Sequence, residues 1–182
     1  QPFVYAPGVG DPHDAGLVAK AGFPVVYLSG FSIANKQGFP DVGLLTLTEM
    51  AQTARRTVRF LETGNDGVPN IPVVADADDG YGNFGNVIRT VEEYAIARVA
   101  ALHIEDQVFP KRCGHIAGKV LVPLEEAVGK YKAAVMARDK MDPNLYLIAR
   151  TDAAGAVGGS LDEATRRGRA YADAGMDAIW AE

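Results

Sequence analysis

The chain has 182 residues and a formal net charge of −5 at pH 7. This length suits one domain with a sizeable buried core. The acidic balance argues against a general nucleic-acid binder, which usually presents a basic surface. One cysteine cannot form an internal disulfide, so we expect a reducing, cytoplasmic location. No apolar run approaches the roughly 18 residues of a membrane span, so we expect neither a membrane segment nor a signal peptide.

Short apolar runs alternate with helical patterns along the chain. The runs are apolar on both faces, as parallel strands covered by helices should be. Such alternation is typical of a parallel α/β sheet or barrel. We predict a threonine cap for the helix Thr48–Thr63 and an asparagine cap for the helix Asn86–Arg98. The predicted strands are Phe3–Ala6, Val25–Leu28, Val73–Ala75, Ala100–Ile104, Tyr146–Ala149 and Ala178–Ala181. The predicted helices are Asp14–Ala21, Thr48–Thr63, Asn86–Arg98, Leu124–Met141 and Leu161–Ala174.

Two segments share one turn from helix to strand. In Lys20–Tyr27 and Asp173–Trp180, a glycine follows the helix and the chain turns directly into a strand. The third predicted helix carries Arg98 at the equivalent position. A left-handed backbone there would cost an arginine on the order of 1 kcal/mol.

Polar residues follow the predicted strands at the points where they end. In a TIM barrel these carboxyl ends form the active-site face. We therefore predict an α/β fold, a (β/α)8 TIM-type barrel truncated after the sixth strand, with residues 1–182 as a single catalytic barrel domain. The rival is a complete six-stranded doubly wound sheet, but no Gly-x-Gly-x-x-Gly follows the first strand. The polar residues at the strand ends are Ser29, Asp76, Asp78, Glu105, Asp106, Arg150, Asp152 and Glu182.

Carboxylates at two strand ends suggest a metal site. Asp76 and Asp78 are two residues apart and would share one face of a strand, and Glu105 ends the next strand. Oxygen ligands of this kind suit Mg²⁺ or Mn²⁺. The alternative is an Asx-turn followed by a helix cap, since Asp and Gly favour turns.

The only cysteine lies among cationic residues in the segment Lys111–His115. Neighbouring positive charge favours the thiolate and would lower the pKa of Cys113. Such a thiol can act as a nucleophile or transfer a proton. A lone cysteine is otherwise often a small buried hydrophobe, but the charged flanks argue against burial. Lys111, Arg112 and Arg150 could form a cationic pocket for a small anion.

Three further residues allow two interpretations each. Tyr27 could transfer a proton or pack in the core, and the Ser29-Gly30 turn after it could bind a carboxylate. Arg150 could grip a carboxylate in bidentate fashion or form a structural ion pair with Asp152 or Glu182. His103 alternates with an apolar residue inside a strand, so we interpret it as a core histidine.

Together these motifs resemble the isocitrate lyase / phosphoenolpyruvate mutase superfamily over nearly the whole chain. The Lys-Arg-Cys-Gly-His segment looks like the signature of the branch that cleaves carbon–carbon bonds, including isocitrate and 2-methylisocitrate lyases. The motifs that carry the resemblance are Tyr27–Gly30, Asp76–Asp78 with Gly80–Gly82, His103–Gln107, Lys111–His115, Ala149–Asp152 and Glu182.

The resemblance implies a Mg²⁺-dependent (or Mn²⁺-dependent) lyase that cleaves isocitrate or 2-methylisocitrate by retro-Claisen chemistry, giving succinate plus glyoxylate or pyruvate. It implies that Asp76 binds the metal, with Asp78 and Glu105 bound through water. Tyr27 would be the base and Cys113 would protonate the carbanion, while Lys111 and Arg150 oppose charge. The residues implied to contact substrate are Ser29, Gly30, Phe31, Gly114, His115, Arg150, Trp180 and Glu182.

The choice of substrate stays open in the sequence. The absence of long insertions resembles methylisocitrate lyases, whereas Trp180 resembles isocitrate lyases and would leave less room for a methyl group. Phe31 also departs from the glycine of many methylisocitrate lyases. Oxaloacetate hydrolase, dimethylmalate lyase or phosphonomutase activity, or a non-catalytic fragment that binds metal or dicarboxylate, are the alternatives. The resemblance further implies a cytoplasmic homotetramer in the glyoxylate or methylcitrate cycle, with a small di- or tricarboxylate as its partner.

Overall fold

A computed structural model describes residues 3–64 and 67–182. In these residues the chain forms six strands and six helices. The strands are β1 (Gly8–Val9), β2 (Val26–Leu28), β3 (Val73–Asp76), β4 (Ala101–Glu105), β5 (Tyr146–Thr151) and β6 (Ala178–Ala181). The helices are α1 (Pro12–Lys20), α2 (Gly30–Lys36), α3 (Leu47–Thr63), α4 (Phe84–Ala97), α5 (Leu124–Met141) and α6 (Leu161–Asp173).

The six strands form one parallel sheet in the order β1-β2-β3-β4-β5-β6. Each strand therefore pairs with the next one in the chain, and the order does not reverse. A doubly wound sheet reverses its order at a switch point, so the rival topology is excluded and the barrel-type α/β fold is confirmed. The register sets Glu105 beside Arg150 and Arg150 beside Trp180, which brings the polar strand ends together.

The core lies between the sheet and the helices. β4 is buried over its whole length, and Leu102 and Leu147 are fully buried on the helix side. Two core tyrosines also hold the strand ends. The Tyr94 hydroxyl on α4 donates to the Asp76 carbonyl at 2.5 Å. The Tyr131 hydroxyl on α5 lies 3.2 Å and 3.0 Å from the carbonyls of Ile104 and Arg150. Helix packing thus fixes the backbone from which the polar residues project.

The predicted first strand is wrong. The apolar run Phe3–Ala6 is largely exposed, and pairing begins instead at β1, where Gly8 lies opposite Tyr27. A two-residue strand that contains a glycine gives no periodic signal, so the apolar run nearby was favoured. The short helix α2 was also missed. Ser29 caps it by accepting from the Ser32 amide at 3.4 Å, at the position we had interpreted as a turn.

Helix caps differ from the prediction by a few residues. The cap of α3 is Thr46, two residues before the predicted start at Thr48, and it forms a capping box with Glu49. Asn83 caps α4, and Asn86 bonds back to it as the third helical residue. The shared helix-to-strand turn is confirmed, with Gly22 and Gly175 both at positive φ. Arg98 adopts the same left-handed backbone at φ 63°.

Within residues 3–64 and 67–182, none of the helices combines the length and the apolar character needed to cross a bilayer.

Candidate active site

A cavity of about 430 Å³ opens at the carboxyl ends of the strands. Residues two apart on a strand share a face, which is why Val74 and Asp76, like Ile148 and Arg150, line it together. All the predicted catalytic residues line this cavity, as do all the predicted substrate-binding residues except Gly30. Of the predicted metal ligands, Asp76 lines the cavity and Asp78 and Glu105 do not. The predicted catalytic and substrate-binding residues in the lining are Tyr27, Ser29, Phe31, Lys111, Cys113, Gly114, His115, Arg150, Trp180 and Glu182.

Asp76 is the most heavily bonded carboxylate of the site. Its Oδ2 accepts from the Gly30 amide at 2.9 Å and from the Tyr27 hydroxyl at 3.0 Å, and its Oδ1 accepts from the Asp78 amide at 3.0 Å. A side chain at position 30 would bring a Cβ within 2.8 Å of Oδ2, so the close approach requires glycine. Burial opposes ionisation, but the charge on a protonated His103, then the Lys111 ammonium and the Asp78 amide, hold the pKa of Asp76 below its usual range.

Asp78 and Glu105 complete a group of three buried carboxylates. Burial, followed by the charge of Asp76, raises the pKa of Asp78 to about 7. Burial also raises the pKa of Glu105 well above its ordinary value. The Oδ1 atom of Asp78 and the Oε1 atom of Glu105 are buried without a hydrogen-bond partner, although Lys111 Nζ lies 2.7 Å from the former. Buried oxygens in this state are costly unless a cation or water satisfies them.

The three carboxylates fit a hard divalent cation. Carboxylate oxygens are the ligand chemistry of Mg²⁺, which often binds one or two carboxylates directly and keeps several waters. In the described residues, one group of three metal-ligating side chains converges within 4.8 Å, the surface group Asp11, His13 and Asp14. The buried carboxylates Asp76, Asp78 and Glu105 do not form a group of this kind. Lys36 pairs with both aspartates of the surface group, at 2.5 Å and 2.7 Å.

Two buried cations face the carboxylates. Lys111 Nζ lies 2.5 Å from Asp41 Oδ1. Burial lowers the pKa of Lys111, but the charges of Asp78 and the other nearby carboxylates outweigh this effect and raise it overall. The Arg150 guanidinium bonds both oxygens of Asp152 at 3.2 Å and 3.0 Å, and its Nε lies 3.4 Å from Glu105. The structural ion pair foreseen for Arg150 is therefore present with Asp152, and Arg150 still lines the cavity.

An aromatic group forms one wall of the cavity. The Tyr27 hydroxyl lies 2.8 Å from His103 Nε2, and the Trp180 ring is 4.8 Å from the His103 ring. Burial, followed by the charge of Asp76, raises the pKa of Tyr27. Burial lowers the pKa of His103 to about 4. The phenol is thus protonated and the imidazole neutral near pH 7.

The expected state of Cys113 is wrong. The residue is only 8% exposed, and burial raises the pKa of its thiol rather than lowering it. The physical reason is that Lys111 is already paired with Asp41 and Asp78, so its charge is offset. Arg112 is exposed and lies outside the cavity lining, which also corrects its expected place in a cationic pocket. The thiol lies 3.8 Å from His115 Nδ1.

Gly114 and Glu182 meet at the mouth of the cavity. A Cβ at position 114 would overlap both the Arg150 guanidinium and the Glu182 carboxylate, so these side chains would have to shift to admit one. His115 is exposed and its Nε2 lies 3.9 Å from Glu182. The predicted motifs Lys111–His115 and Ala149–Asp152 and the residue Glu182 are therefore neighbours in space.

Sequence reasoning missed two residues of the site. His103 was interpreted as a core residue, and it is buried, yet it bonds the Tyr27 hydroxyl and leaves Nδ1 without a partner. The available signal was its place two residues before Glu105, on the same face of β4. Asp41 lines the cavity from the loop after α2, and no strand end or motif marked it.

The fold and the site define a class of α/β barrel proteins with an acidic, cation-lined centre at the strand ends. Residues 1–182 match the family described as "Phosphoenolpyruvate phosphomutase". The chain therefore belongs to the phosphoenolpyruvate mutase/isocitrate lyase superfamily, as the resemblance of its motifs indicated.

Curated relatives align with this chain over nearly its whole length. An isocitrate lyase of Haloferax volcanii is 48% identical over 100% of this chain and 50% of its own length. A 2,3-dimethylmalate lyase of Eubacterium barkeri is 47% identical over 98% of this chain and 58% of its own length. A probable 2-methylisocitrate lyase of Corynebacterium glutamicum is 46% identical over 97% and 54%. The chain thus spans about half the length of these relatives.

Solved structures agree with the fold. A 2,3-dimethylmalate lyase structure superposes with a TM-score of 0.89 at 41% identity, over 99% of this chain and 57% of that one. An oxaloacetate acetylhydrolase bound to 3,3-difluorooxalacetate gives 0.89 at 35% identity, over 99% and 58%. A phosphonopyruvate hydrolase complex with oxalate and Mg²⁺ gives 0.82 at 34% identity, over 97% and 57%.

Proposed function

We propose that this chain, as a catalytic barrel domain, carries the active site of a Mg²⁺-dependent carbon–carbon lyase. Its substrate is isocitrate or 2-methylisocitrate, cleaved to succinate plus glyoxylate or pyruvate. The observation that carries the proposal is a single cavity holding the Cys113 thiol, the Tyr27 hydroxyl and the Asp76 carboxylate. A proton donor, a proton acceptor and a cation ligand are the groups that retro-Claisen cleavage needs.

Asp76 would bind the cation directly, with Asp78 and Glu105 reached through water. The unpartnered Oε1 of Glu105 supports this assignment, as does the Mg²⁺ in the phosphonopyruvate hydrolase relative. The ion would supply positive charge that stabilises the oxyanions of substrate and product. The same charge would favour ionisation of the Tyr27 phenol, whose pKa is raised by burial and by the Asp76 carboxylate. Mn²⁺ has the same ligand preference and would substitute.

The substrate's carboxylates would lie against the cations and amides around the cavity mouth. Arg150 is held in a fixed plane by Asp152, which suits bidentate recognition of a carboxylate. His115 and the Ser29, Gly30 and Gly114 backbone would contact the remaining oxygens. Glu182, which faces Gly114, and Phe31 would close the outer side of the site.

The reaction then moves one proton off the substrate and one proton on. Tyr27 would pass its own proton to the neutral His103 imidazole, whose Nε2 lies 2.8 Å from the hydroxyl, and take the proton of the substrate hydroxyl. The electron pair of that O–H bond would form the new carbonyl of glyoxylate or pyruvate. The C–C bond breaks, and its electrons pass to the succinate aci-carboxylate, whose charge Lys111 and Arg150 oppose. Cys113 would protonate this carbanion. Its raised pKa keeps the thiol protonated, as a donor must be.

Trp180 and Phe31 favour the smaller substrate of the pair. Both rings line the cavity, and a methyl group would need room beside them. One methyl group changes discrimination by only about 1–3 kcal/mol, so both acids are candidates. The 47% identity with a 2,3-dimethylmalate lyase makes dimethylmalate the third acid to test. A cytoplasmic homotetramer in the glyoxylate or methylcitrate cycle is the remaining part of the proposal, and it rests on family membership alone.

The test is product identification with parallel substrates. The protein is incubated with Mg²⁺ and isocitrate, 2-methylisocitrate, 2,3-dimethylmalate or oxaloacetate, and the oxo acid formed is trapped and identified by mass. Glyoxylate from the first acid or pyruvate from the second is the expected result. If only 2,3-dimethylmalate or oxaloacetate is cleaved, that acid is the substrate and the proposed one is wrong. Absence of any product from a folded, Mg²⁺-binding protein would favour a non-catalytic binding role.

A further inference from the structure

The loop from Asp106 to Pro123, which joins β4 to α5, carries Cys113 and is fastened on both sides of it. We propose that Gln107 and Lys119 are positioning residues that fix the backbone of Arg112 and Gly114 and so hold the Cys113 thiol at the cavity. The inference rests on the proposed function, in which Cys113 delivers a proton to the product carbanion.

Gln107 fastens the residue before the cysteine. Its Nε2 donates to the Arg112 carbonyl at 2.9 Å, and its Oε1 accepts from the Arg112 amide at 2.8 Å. A side-chain amide is suited to this double bond because it donates and accepts at once. Gln107 is 1% exposed, and its own backbone is fixed by a bridge to Leu121. The tie therefore runs from the end of β4 to the cysteine's neighbour.

Lys119 fastens the residue after the cysteine. Its ammonium donates to the Gly114 carbonyl and lies 3.2 Å from Asp152 Oδ1. Lys119 is 4% exposed and Asp152 is fully buried, so the ion pair is shielded from water. Asp152 in turn accepts from Arg150, and its amide donates to Asp106 at 3.1 Å. The second tie therefore runs to the end of β5 and shares its anchor with Arg150.

One more buried side chain ties this part of the loop, since Lys111, two residues before the cysteine, pairs with Asp41 and Asp78. The residues that follow Gly114, from His115 to Ala117, are exposed, and so is Arg112. The loop's own turn adds one bond, from the Ile116 amide to the Cys113 carbonyl at 2.9 Å. Gln107 and Lys119 are thus the buried side chains that bond directly to the residues on either side of the thiol. A misplacement of about 1 Å at a reacting group can cost about 10²-fold in rate.

The test measures how often the thiol becomes accessible. The chain has one cysteine, so iodoacetamide labelling can be followed by mass and assigned to Cys113 by peptide mapping. Lys119→Met and Gln107→Leu should each speed labelling about tenfold or more, because each removes hydrogen bonds that hold a buried thiol in place. Lys130→Met is the matched control. It removes another buried lysine, on α5, and should leave the labelling rate unchanged.

Conservative variants separate positioning from general destabilisation. Gln107→Glu keeps the acceptor for the Arg112 amide and loses the donor, and Lys119→Arg keeps the cation. Both should label at rates between wild type and the truncating variants, with circular dichroism unchanged. If the truncating variants fail to fold, these two decide the matter. Wild-type labelling rates in the folded variants would overturn the inference.

Catalysis supplies a second readout that can fail separately. If the protein cleaves its substrate, Gln107→Leu should lower kcat by about tenfold or more and leave KM within about twofold, because it releases the residue before the thiol while Lys119 still holds the Gly114 backbone. Equal loss of substrate affinity and turnover would indicate a general defect and count against positioning. A protein without lyase activity whose variants still label faster would refute the proposed function and leave the loop assignment standing.

Discussion

The guanidinium carbon of Arg150 lies 5.0 Å from the centre of the Trp180 ring, over its face. The two residues are register partners on neighbouring strands, so their side chains leave the sheet on the same side. Asp152 holds the guanidinium from the other direction at 3.0 Å and 3.2 Å. The indole is therefore fixed between a clamped cation and the His103 ring, and its size sets the room in the cavity.

Trp180→Phe should shift substrate preference toward the larger acid. A smaller ring leaves room for a methyl group, and one methyl group is worth about 1–3 kcal/mol, or about 10- to 200-fold. The ratio of kcat/KM for 2-methylisocitrate to that for isocitrate should therefore rise about tenfold or more. Phe84→Leu removes an exposed ring on α4 and should leave the ratio unchanged. An unaltered ratio in Trp180→Phe would remove Trp180 from substrate selection.

Cys113→Ser should lower kcat by about 10²- to 10⁴-fold, the range for a lost general acid. A serine hydroxyl fills nearly the same volume but is a much weaker acid than a thiol, so KM should change little. Steady-state kinetics with the preferred acid measure both constants. Turnover close to wild type would show that another group delivers the proton.

Mg²⁺ should stabilise the protein through Asp76. A ligand at about 100 times its Kd adds about 2.7 kcal/mol to folding stability, which corresponds to several degrees in Tm at this chain length. Thermal scans with and without Mg²⁺ should show this shift in wild type and lose it in Asp76→Asn. Asp139→Asn removes an exposed surface carboxylate and should keep it. A wild-type Tm that does not respond to Mg²⁺ would contradict the metal assignment.

Arg98→Gly should stabilise the fold. The residue adopts φ 63°, which costs a side chain with a Cβ about 1–2 kcal/mol. Its exposed ion pair with Glu62 at 3.0 Å contributes less than about 1 kcal/mol, and the freedom of glycine in the unfolded chain offsets part of the gain. Tm should rise by a few degrees. Arg98→Ala keeps the strain and loses the ion pair, so it should give no increase. A lower Tm for the glycine variant would show that the ion pair outweighs the strain.

Glu163 should make stability depend on pH in the acidic range. Bonds from Arg166 and then Arg167 lower its pKa from an ordinary 4.5 to about 2. A lowered carboxylate pKa gives stability that is complete above 4.5 and is lost as the pH falls toward 2. Glu163→Gln should therefore lower Tm at pH 7 by a few degrees and match wild type near pH 2. Glu92→Gln on α4 is the control. A Tm difference between Glu163→Gln and wild type that is equal at all pH values would contradict the assignment of this pH dependence to Glu163.

The strand-end residues could be predicted because they depend on local patterns. An apolar run ended by Asp76 or Glu105 marks both a parallel strand and its functional end, and both predictions needed only a few adjacent residues. Contacts between distant residues gave no such signal. The Lys111–Asp41 pair joins residues 70 apart and the Tyr27–His103 bond joins residues 76 apart. Burial, and after it the distant Asp41 carboxylate, reversed the expected pKa of Cys113, because sequence shows the flanking cations and neither the burial nor that carboxylate.

Succinate release is the most direct measurement of the central claim, since both proposed substrates give it. Isocitrate and 2-methylisocitrate are each incubated with the protein and Mg²⁺, and the methylene signal of succinate is followed by proton NMR. We predict that succinate accumulates with one or both acids, that chelation of the metal stops it, and that Asp76→Asn abolishes it. Both acids remaining intact in the presence of folded protein and saturating Mg²⁺ would contradict the account.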